Sequence, residues 1–225
     1  MDENGESQIV NPIYLSYKSL INWISIKDAD KYCSSLQKKY GNQVEYFFNL
    51  SDQSDSFQRQ QRVYDYKNQS LDFSLSISNL YIEPILSITS LALESFKYNS
   101  INQILDLGCE NGVTSCYYAK LFPDARITAI DINRNCIIQA NNLKDKLGLK
   151  NINFIQSDLY SFNEPESSYD LIVCHNFFIE LTMRSVKSKK HHELAQSLNH
   201  IYPLLSNKGS LISMERLQDM DEYVN

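Results

Sequence analysis

The chain has 225 residues, of which 43% are hydrophobic and 21% are charged, a balance that is typical of a folded globular protein. Its formal net charge is −6, so the chain as a whole is not attracted to phosphate backbones or anionic lipid. The composition therefore disfavours a nucleic-acid or membrane substrate, without excluding a local basic patch.

The cysteines and the N-terminus indicate a cellular compartment. Five cysteines lie at positions 33, 109, 116, 136 and 174, and no two are spaced as Cys-x-x-Cys. This pattern fits a reducing compartment better than a secreted disulfide framework. The N-terminus is acidic where a signal peptide is basic, and no apolar run is long enough to span a bilayer. We therefore expect a soluble, cytoplasmic protein.

Residues 1–80 are rich in Ser, Gln, Asn and Tyr and are predicted to form a mainly helical N-terminal extension. Apolar spacing predicts a short amphipathic helix over 13–26. A second helix is predicted between a capping Asp28 and Gly41. The extension is interpreted either as a lid over the acceptor site or as an added helical layer.

The later part of this extension is ambiguous. Segments 43–50 and 71–78 alternate apolar and polar residues, which is typical of strands. The polar stretch 51–62 between them is predicted to be a loop or a solvated helix. A helix over 84–96 then begins at a proline. Its predicted inward positions are Ile85, Ile88, Leu91 and Leu93.

From residue 81 to 225 a second unit is predicted, in which short apolar runs alternate with helical stretches. Strands are predicted at 101–107, 126–131, 151–156, 169–175 and 209–215, and helices at 112–122, 134–147 and 189–205. Apolar runs without alternation, such as Leu171-Ile172-Val173, are typical of strands buried on both faces. The pattern predicts an α/β fold with a five-stranded parallel sheet.

The turn at 106–112, Asp-Leu-Gly-Cys-Glu-Asn-Gly, has the features of a small-molecule site. Gly108 and Gly112 let the backbone approach a ligand, and the following helix presents free N–H groups. Asp106 ends the strand, where its carboxylate can receive the amino group of a ligand.

Two further carboxylates follow neighbouring strands. Asp131 ends the second strand about 20 residues beyond Gly108, the separation at which a carboxylate binds a ribose diol. Asp158 follows the third strand. Because the carboxyl ends of parallel strands meet at one edge, these groups are predicted to form one adenosine-binding site.

Taken together, the features resemble the class I S-adenosylmethionine (SAM)-dependent methyltransferases over roughly residues 80–215. Segment 106–112 is similar to the glycine-rich first motif of the family. Asp131 and Ile132 resemble its ribose-binding acid and adenine-packing residue, and segment 157–159 resembles its adenine-binding segment. Segment 169–176 resembles the fourth-strand motif, which lines the methionine end and the acceptor mouth, and 204–212 resembles the glycine turn and fifth strand.

The resemblance implies a Rossmann-like SAM-binding core over 81–225 that transfers a methyl group by in-line displacement. It implies cofactor-binding roles for Asp106, Gly108, Cys109, Gly112, Asp131, Ile132, Asp158, Leu159 and His175. His175 is also the candidate general base, because histidine titrates near neutrality, with a role in the pocket wall as the alternative.

One residue departs from the family pattern. Glu110 stands where the family usually has its middle glycine. A sulfonium tolerates a nearby carboxylate better than a pyrophosphate does, so Glu110 disfavours an NAD-dependent dehydrogenase. It is equally the main support for an alternative, a catalytically silent methyltransferase-like module used for protein interaction.

The acceptor is predicted by exclusion. Segment 175–178, His-Asn-Phe-Phe, lacks the Asn-Pro-Pro-aromatic motif of enzymes that methylate amide or base nitrogens. With the acidic charge, this favours a small-molecule or protein acceptor over nucleic acid. A metal at His191-His192-Glu193 is not expected, because adjacent histidines on a helix diverge too far to share an ion.

The sheet of this family normally ends in a hairpin formed by its last two strands. Only residues 216–225 follow the fifth predicted strand, so the hairpin is expected to be missing. Either the chain belongs to a longer parent protein, or another element covers the exposed sheet edge. The candidates for that cover are segments 43–50 and 71–78, or a partner subunit in a homodimer.

Overall fold

The computed structural model describes residues 29–52, 56–94, 101–182 and 190–215. Within these ranges, five helices precede the first strand of a five-stranded sheet. These helices are α1 (Ala29–Tyr40), α2 (Asn42–Asp52), α3 (Phe57–Lys67), α4 (Leu71–Ser78) and α5 (Ile82–Glu94). The helix predicted over 13–26 and the capping Asp28 lie outside the described residues.

The sheet has the order β3-β2-β1-β4-β5, and every pair of neighbouring strands is parallel. Its strands are β1 (Gln103–Leu107), β2 (Arg126–Asp131), β3 (Ile152–Gln156), β4 (Tyr169–His175) and β5 (Leu205–Met214). The helices among them are α6 (Val113–Leu121), α7 (Arg134–Leu147), α8 (Phe177–Thr182) and α9 (Lys190–Ile201). The predicted α/β fold with a parallel sheet is confirmed. Strand order reverses between β1 and β4, the switch point where ligands bind in such sheets.

Each face of the sheet has its own apolar core. Ile104 and Val173 lie on the face covered by α5, α6 and α7, whereas Leu105 and Ile172 lie on the face covered by α8 and α9. All four side chains are fully buried, as expected for central strands of a sheet covered on both sides.

Segments 43–50 and 71–78 are helical, so the prediction of strands there was wrong. Val44 and Phe47 are buried three residues apart, and Phe73 and Ile77 four apart, which is the spacing of one helix face. The Phe73 N–H donates to Ser70 Oγ at 3.3 Å, an N-cap that begins α4. These residues form a third apolar cluster among α1 to α4.

The buried face of α5 also differs from the prediction. Ile88 and Leu91 are 55% and 64% exposed, whereas Leu93 is buried as predicted. The buried stripe passes through Thr89 and Ser90, whose hydroxyls donate to helix carbonyls four residues earlier. Because these two polar residues satisfy their hydroxyls locally, apolar spacing alone selected the wrong face.

Within the described ranges β5 is one edge of the sheet and β3 is the other, and no described strand pairs with the outer side of β5. Segments 43–50 and 71–78 do not supply a substitute strand, because both are helices. None of the described helices has the length and apolar character needed to cross a membrane.

Candidate functional site

The turn that follows β1 requires glycine at two positions. Gly108 and Gly112 have φ angles of +73° and +77°, which L side chains rarely adopt. A Cβ on Gly112 would lie 2.6 Å from Phe154 Cζ, and one on Gly108 would lie 2.9 Å from Phe177 Cδ2. The Gly108 N–H donates to the Ile130 carbonyl at 2.9 Å, which fixes the turn to the end of β2.

Asp106 is 1% exposed and lies under this turn. Its Oδ2 accepts hydrogen bonds from Ser115 Oγ at 2.6 Å and Thr114 Oγ1 at 3.3 Å, whereas its buried Oδ1 has no partner. Burial raises the pKa of Asp106 to about 6, although the two hydroxyl donors act in the opposite direction. An unsatisfied buried carboxylate oxygen is costly, and a cationic donor is the group that would satisfy it.

Asp131 is held in a fixed orientation by two backbone amides. Its Oδ2 accepts from the Glu110 N–H at 2.9 Å and its Oδ1 from the Asn133 N–H at 2.7 Å. A carboxylate oxygen accepts more than one hydrogen bond, so these contacts are compatible with a further bond to a ligand hydroxyl.

A cleft of about 50 Å³ opens at the carboxyl ends of β1, β2 and β3. Five of the residues predicted from sequence border it: Gly108, Asp131, Ile132, Asp158 and Leu159. Ile130 and Ser157 complete the strand side, α3 contributes Phe57, Gln61 and Tyr64, and α8 contributes Phe177, Glu180 and Leu181. The structure thus brings the predicted adenosine-binding residues together. It adds α3, for which the sequence left a loop and a solvated helix as alternatives, and α8, which the sequence analysis did not predict.

Helices α3 and α8 meet over the cleft. The Tyr64 hydroxyl donates to the Glu180 carboxylate, and burial raises the pKa of Glu180 to about 8 although this hydrogen bond lowers it. The one local signal for α3 is Ser56, which caps the helix by accepting from the Arg59 N–H at 3.5 Å. The cleft is much smaller than the roughly 300–1,000 Å³ of small-molecule pockets, and both partners of this contact line it.

The other predicted residues lie elsewhere. Asp106, Cys109, Gly112 and His175 do not border the cleft, and the Cys109 side chain packs in the apolar core. His175 Nε2 lies 3.1 Å from Thr89 Oγ1 and 3.2 Å from Tyr118 Oη, with the imidazole stacked on the tyrosine ring. Burial lowers the pKa of His175 to about 4, so the imidazole is neutral and weakly basic near pH 7. His175 therefore lies outside the cleft, and its predicted roles as general base and as pocket-wall residue both stay predictions.

Glu110 has a left-handed backbone, with φ of +48°, and its side chain does not border the cleft. Its carboxylate is bound by the Lys67 ammonium and, at 3.1 Å, by the Tyr81 hydroxyl. Because Lys67 pairs with this charge, the argument that the charge distinguishes a sulfonium from a pyrophosphate gains no support from the structure and stays a prediction.

Buried polar side chains join the N-terminal helices to the core. The Asn111 amide donates to Ser74 Oγ at 2.7 Å and to Ser78 Oγ at 2.8 Å. The Gln139 amide donates to the Asn68 carbonyl at 3.0 Å. Helices α3 and α4 are thus attached to the β1 turn and to α7 by directional contacts.

Residues 99–223 match the family model of a methyltransferase domain. Malonyl-acyl-carrier-protein O-methyltransferase 2 of Ilyobacter polytropus is 30% identical over 148 residues, covering 53% of this chain and 54% of that protein. The tRNA1(Val) (adenine(37)-N6)-methyltransferase of Vibrio campbellii is 28% identical over 131 residues, covering 55% and 54%. The chain spans about half the length of these curated relatives.

The fold also resembles a solved structure from Methanococcus maripaludis that is assigned to the S-adenosyl-L-methionine-dependent methyltransferases. The TM-score is 0.53 with 18% sequence identity, and the match covers 72% of this chain and 66% of that one. At this level of identity the likeness describes the fold.

Proposed function

The chain belongs to the methyltransferase-domain family, whose cofactor is S-adenosylmethionine, and we propose that it transfers a methyl group from SAM to an acceptor. The observation that carries the proposal is the cleft at the carboxyl ends of β1, β2 and β3. It gathers Asp131, Ile132 and Asp158, three residues that the family resemblance assigns to adenosine recognition.

Each part of the adenosine half of SAM has a candidate partner in the cleft. Asp131 would accept hydrogen bonds from the ribose hydroxyls, since its carboxylate is already oriented by two backbone amides. Ile132 would pack against adenine, and Asp158 with Leu159 would bind the adenine edge. Gly108 would allow the backbone to approach the ligand closely.

Asp106 fits the other half of the cofactor. Its unpartnered Oδ1 and its negative charge match the ammonium group of the methionine moiety. SAM, when bound, supplies the methyl group, and the protein's task is to align donor and acceptor and to exclude water. Cys109 and Gly112 then shape the turn and do not bind the ligand directly: the Cys109 side chain is buried, and Gly112 permits the backbone conformation.

The acceptor is proposed to be a small molecule or a protein. The net charge of −6 supports this choice over nucleic acid. The relatives include one protein named for a malonyl carrier-protein substrate and one named for tRNA, so the family alone leaves the acceptor class open. A general base role for His175 stays a prediction that its low pKa does not favour. The cytoplasmic location and a homodimer likewise stay predictions.

A second candidate function is a silent methyltransferase-like module for protein interaction. The closed cleft of about 50 Å³ favours it, because a SAM-sized ligand needs α3 and α8 to separate first. The two functions differ in whether the protein binds the cofactor at all.

Isothermal titration with S-adenosylhomocysteine (SAH) tests the proposal. We expect saturable binding by the unchanged protein and a loss of roughly 10- to 100-fold in affinity in Asp131→Asn, since hydrogen bonds to charged groups contribute about 1.5–3 kcal/mol. Glu166→Gln, an exposed carboxylate away from the cleft, is the matched control and should bind normally. No heat from the unchanged protein at tens of micromolar would favour the silent module.

A further inference from the structure

A buried ion pair connects the N-terminal helices to the glycine-rich turn. Lys67, the last residue of α3, is 2% exposed, and its ammonium donates to the Glu110 carboxylate and to the Tyr81 hydroxyl. Burial lowers the pKa of Lys67, but Glu110 and Tyr81 outweigh it, so the net pKa is raised and the ammonium stays charged. A buried ammonium is costly unless it is paired, so Lys67 fixes the position of the Glu110 side chain.

The backbone of the same glutamate holds the proposed ribose carboxylate. The Glu110 N–H donates to Asp131 Oδ2 at 2.9 Å. Its φ of +48° costs a non-glycine residue roughly 1–2 kcal/mol, so this conformation persists only while the surrounding contacts enforce it. The side-chain contact with Lys67 is one of those contacts. Lys67 and Asp131 are therefore linked through a single residue.

The neighbouring residue provides a second attachment. Asn111 is 3% exposed and donates to two serine hydroxyls of α4. This attachment does not involve Lys67, so the turn keeps part of its support when the lysine is replaced. The expected consequence of replacing Lys67 is a misaligned Asp131 rather than a lost turn.

We propose that Lys67 is a positioning residue for the cofactor ribose: through Glu110 it secures one of the two backbone contacts that orient the Asp131 carboxylate. This inference rests on the proposed function, because it assigns Asp131 to the ribose. It makes the N-terminal helical layer a working part of the cofactor site. The affinity for the ribose hydroxyls would then depend on the N-terminal helices as well as on the glycine-rich turn and the strand ends.

The test compares SAH with its 2′,3′-dideoxy analogue, which cannot donate hydroxyls to Asp131. The unchanged protein should prefer SAH by roughly 10- to 100-fold, the equivalent of hydrogen bonds to a charged acceptor. In Lys67→Met the preference should fall to within about 3-fold, because the remaining contribution of a misaligned bond is small. A merely structural role would weaken both ligands equally and leave the ratio unchanged.

Lys39→Met is the matched control. Lys39 forms an ion pair with Asp72 at 2.6 Å in the same helical layer, but both side chains are more than half exposed. Its loss should change neither the affinity for SAH nor the preference over the analogue, since exposed pairs contribute little.

A double variant separates positioning from folding. Lys67→Met/Glu110→Gln removes both charges at similar volume, so it leaves no unpaired Glu110 carboxylate and should regain the melting temperature lost in the single variant. The preference of the double variant for SAH over the analogue should stay low. This measurement tests the inference even if Lys67→Met alone does not fold. A preference retained in either variant overturns this inference alone. Absence of SAH binding by the unchanged protein overturns the proposed function and this inference with it.

Discussion

Replacing Gly112 by alanine should destabilise the fold through two separable effects. The φ of +77° costs an alanine roughly 1–2 kcal/mol, because a left-handed backbone crowds the Cβ. The new Cβ would also lie 2.6 Å from Phe154 Cζ and 2.8 Å from Ala140 Cβ. The phenyl ring has some freedom to move, but Ala140 Cβ is attached directly to the backbone of α7, so the helix must shift. Overpacking of this kind costs roughly 1–3 kcal/mol.

The sum is a loss of about 2–5 kcal/mol in the free energy of unfolding for Gly112→Ala. Gly148→Ala isolates the first effect, because Gly148 has φ of +66° and no atom lies within 4 Å of its added Cβ. Gly148→Ala should therefore lose only about 1–2 kcal/mol.

Urea denaturation followed by circular dichroism measures both values on the same protein preparation. The difference between the variants reports the steric contribution alone, since the two backbone conformations are similar. Equal losses for Gly112→Ala and Gly148→Ala would refute the reasoning, because they would show that the close approach of Phe154 and Ala140 is relieved without cost.

Two further outcomes follow from buried carboxylates. The pKa of Glu180 is raised from 4.5 to about 8, so the folded state holds its proton more tightly and stability should fall as pH rises from about 5 through 8. In Glu180→Gln the melting temperature should change less between pH 6.5 and 8.5 than it does in Glu166→Gln, in which an exposed carboxylate is replaced. An equal pH dependence of the two melting temperatures would contradict this. Asp106→Asn should weaken SAH binding by at least about 10-fold in titration calorimetry, yet raise the melting temperature of the unliganded protein at pH 8. The gain arises because the ionised carboxylate is penalised above its pKa of about 6, and a lower melting temperature at that pH would count against it.

The sheet and the glycine-rich turn were predictable because their signals are local. Leu171-Ile172-Val173 is apolar without alternation, as a strand buried on both faces must be. Gly108 and Gly112 are two of only six glycines, and both adopt the positive φ that makes glycine necessary. The position of Asp131 at the end of β2 followed from its spacing to this turn.

The rest of the site depends on contacts between distant residues. Tyr64 and Glu180 meet over the cleft although 116 positions separate them, and Lys67 and Glu110 are 43 apart. No spacing rule within one segment predicts such pairs. His175 is different, because alternation from Leu171 and Val173 already places it on the face covered by α5 and α6.

The helix α4 was mistaken for a strand because both periodicities fit its residues. Leu71, Phe73, Leu75 and Ile77 alternate along the sequence, yet Phe73 and Ile77 also share a helix face. Ser70 was the discriminating signal, since a serine three residues before an N–H donor is a common N-cap.

The buried polar contacts between the N-terminal helices and the core affect how α3 can move. The residues that form them are buried groups that need directional partners: Lys67, Asn68, Ser74, Asn111, Asn133 and Gln139. Apolar surfaces can slide past each other, whereas these hydrogen bonds are lost within about 1 Å of displacement. We therefore expect α3 to be released in one step that breaks these hydrogen bonds together. Ligand entry into the cleft then becomes a sub-global opening event, and protection of backbone amides against hydrogen exchange should spread from the cleft into α3 and α4 when a ligand binds.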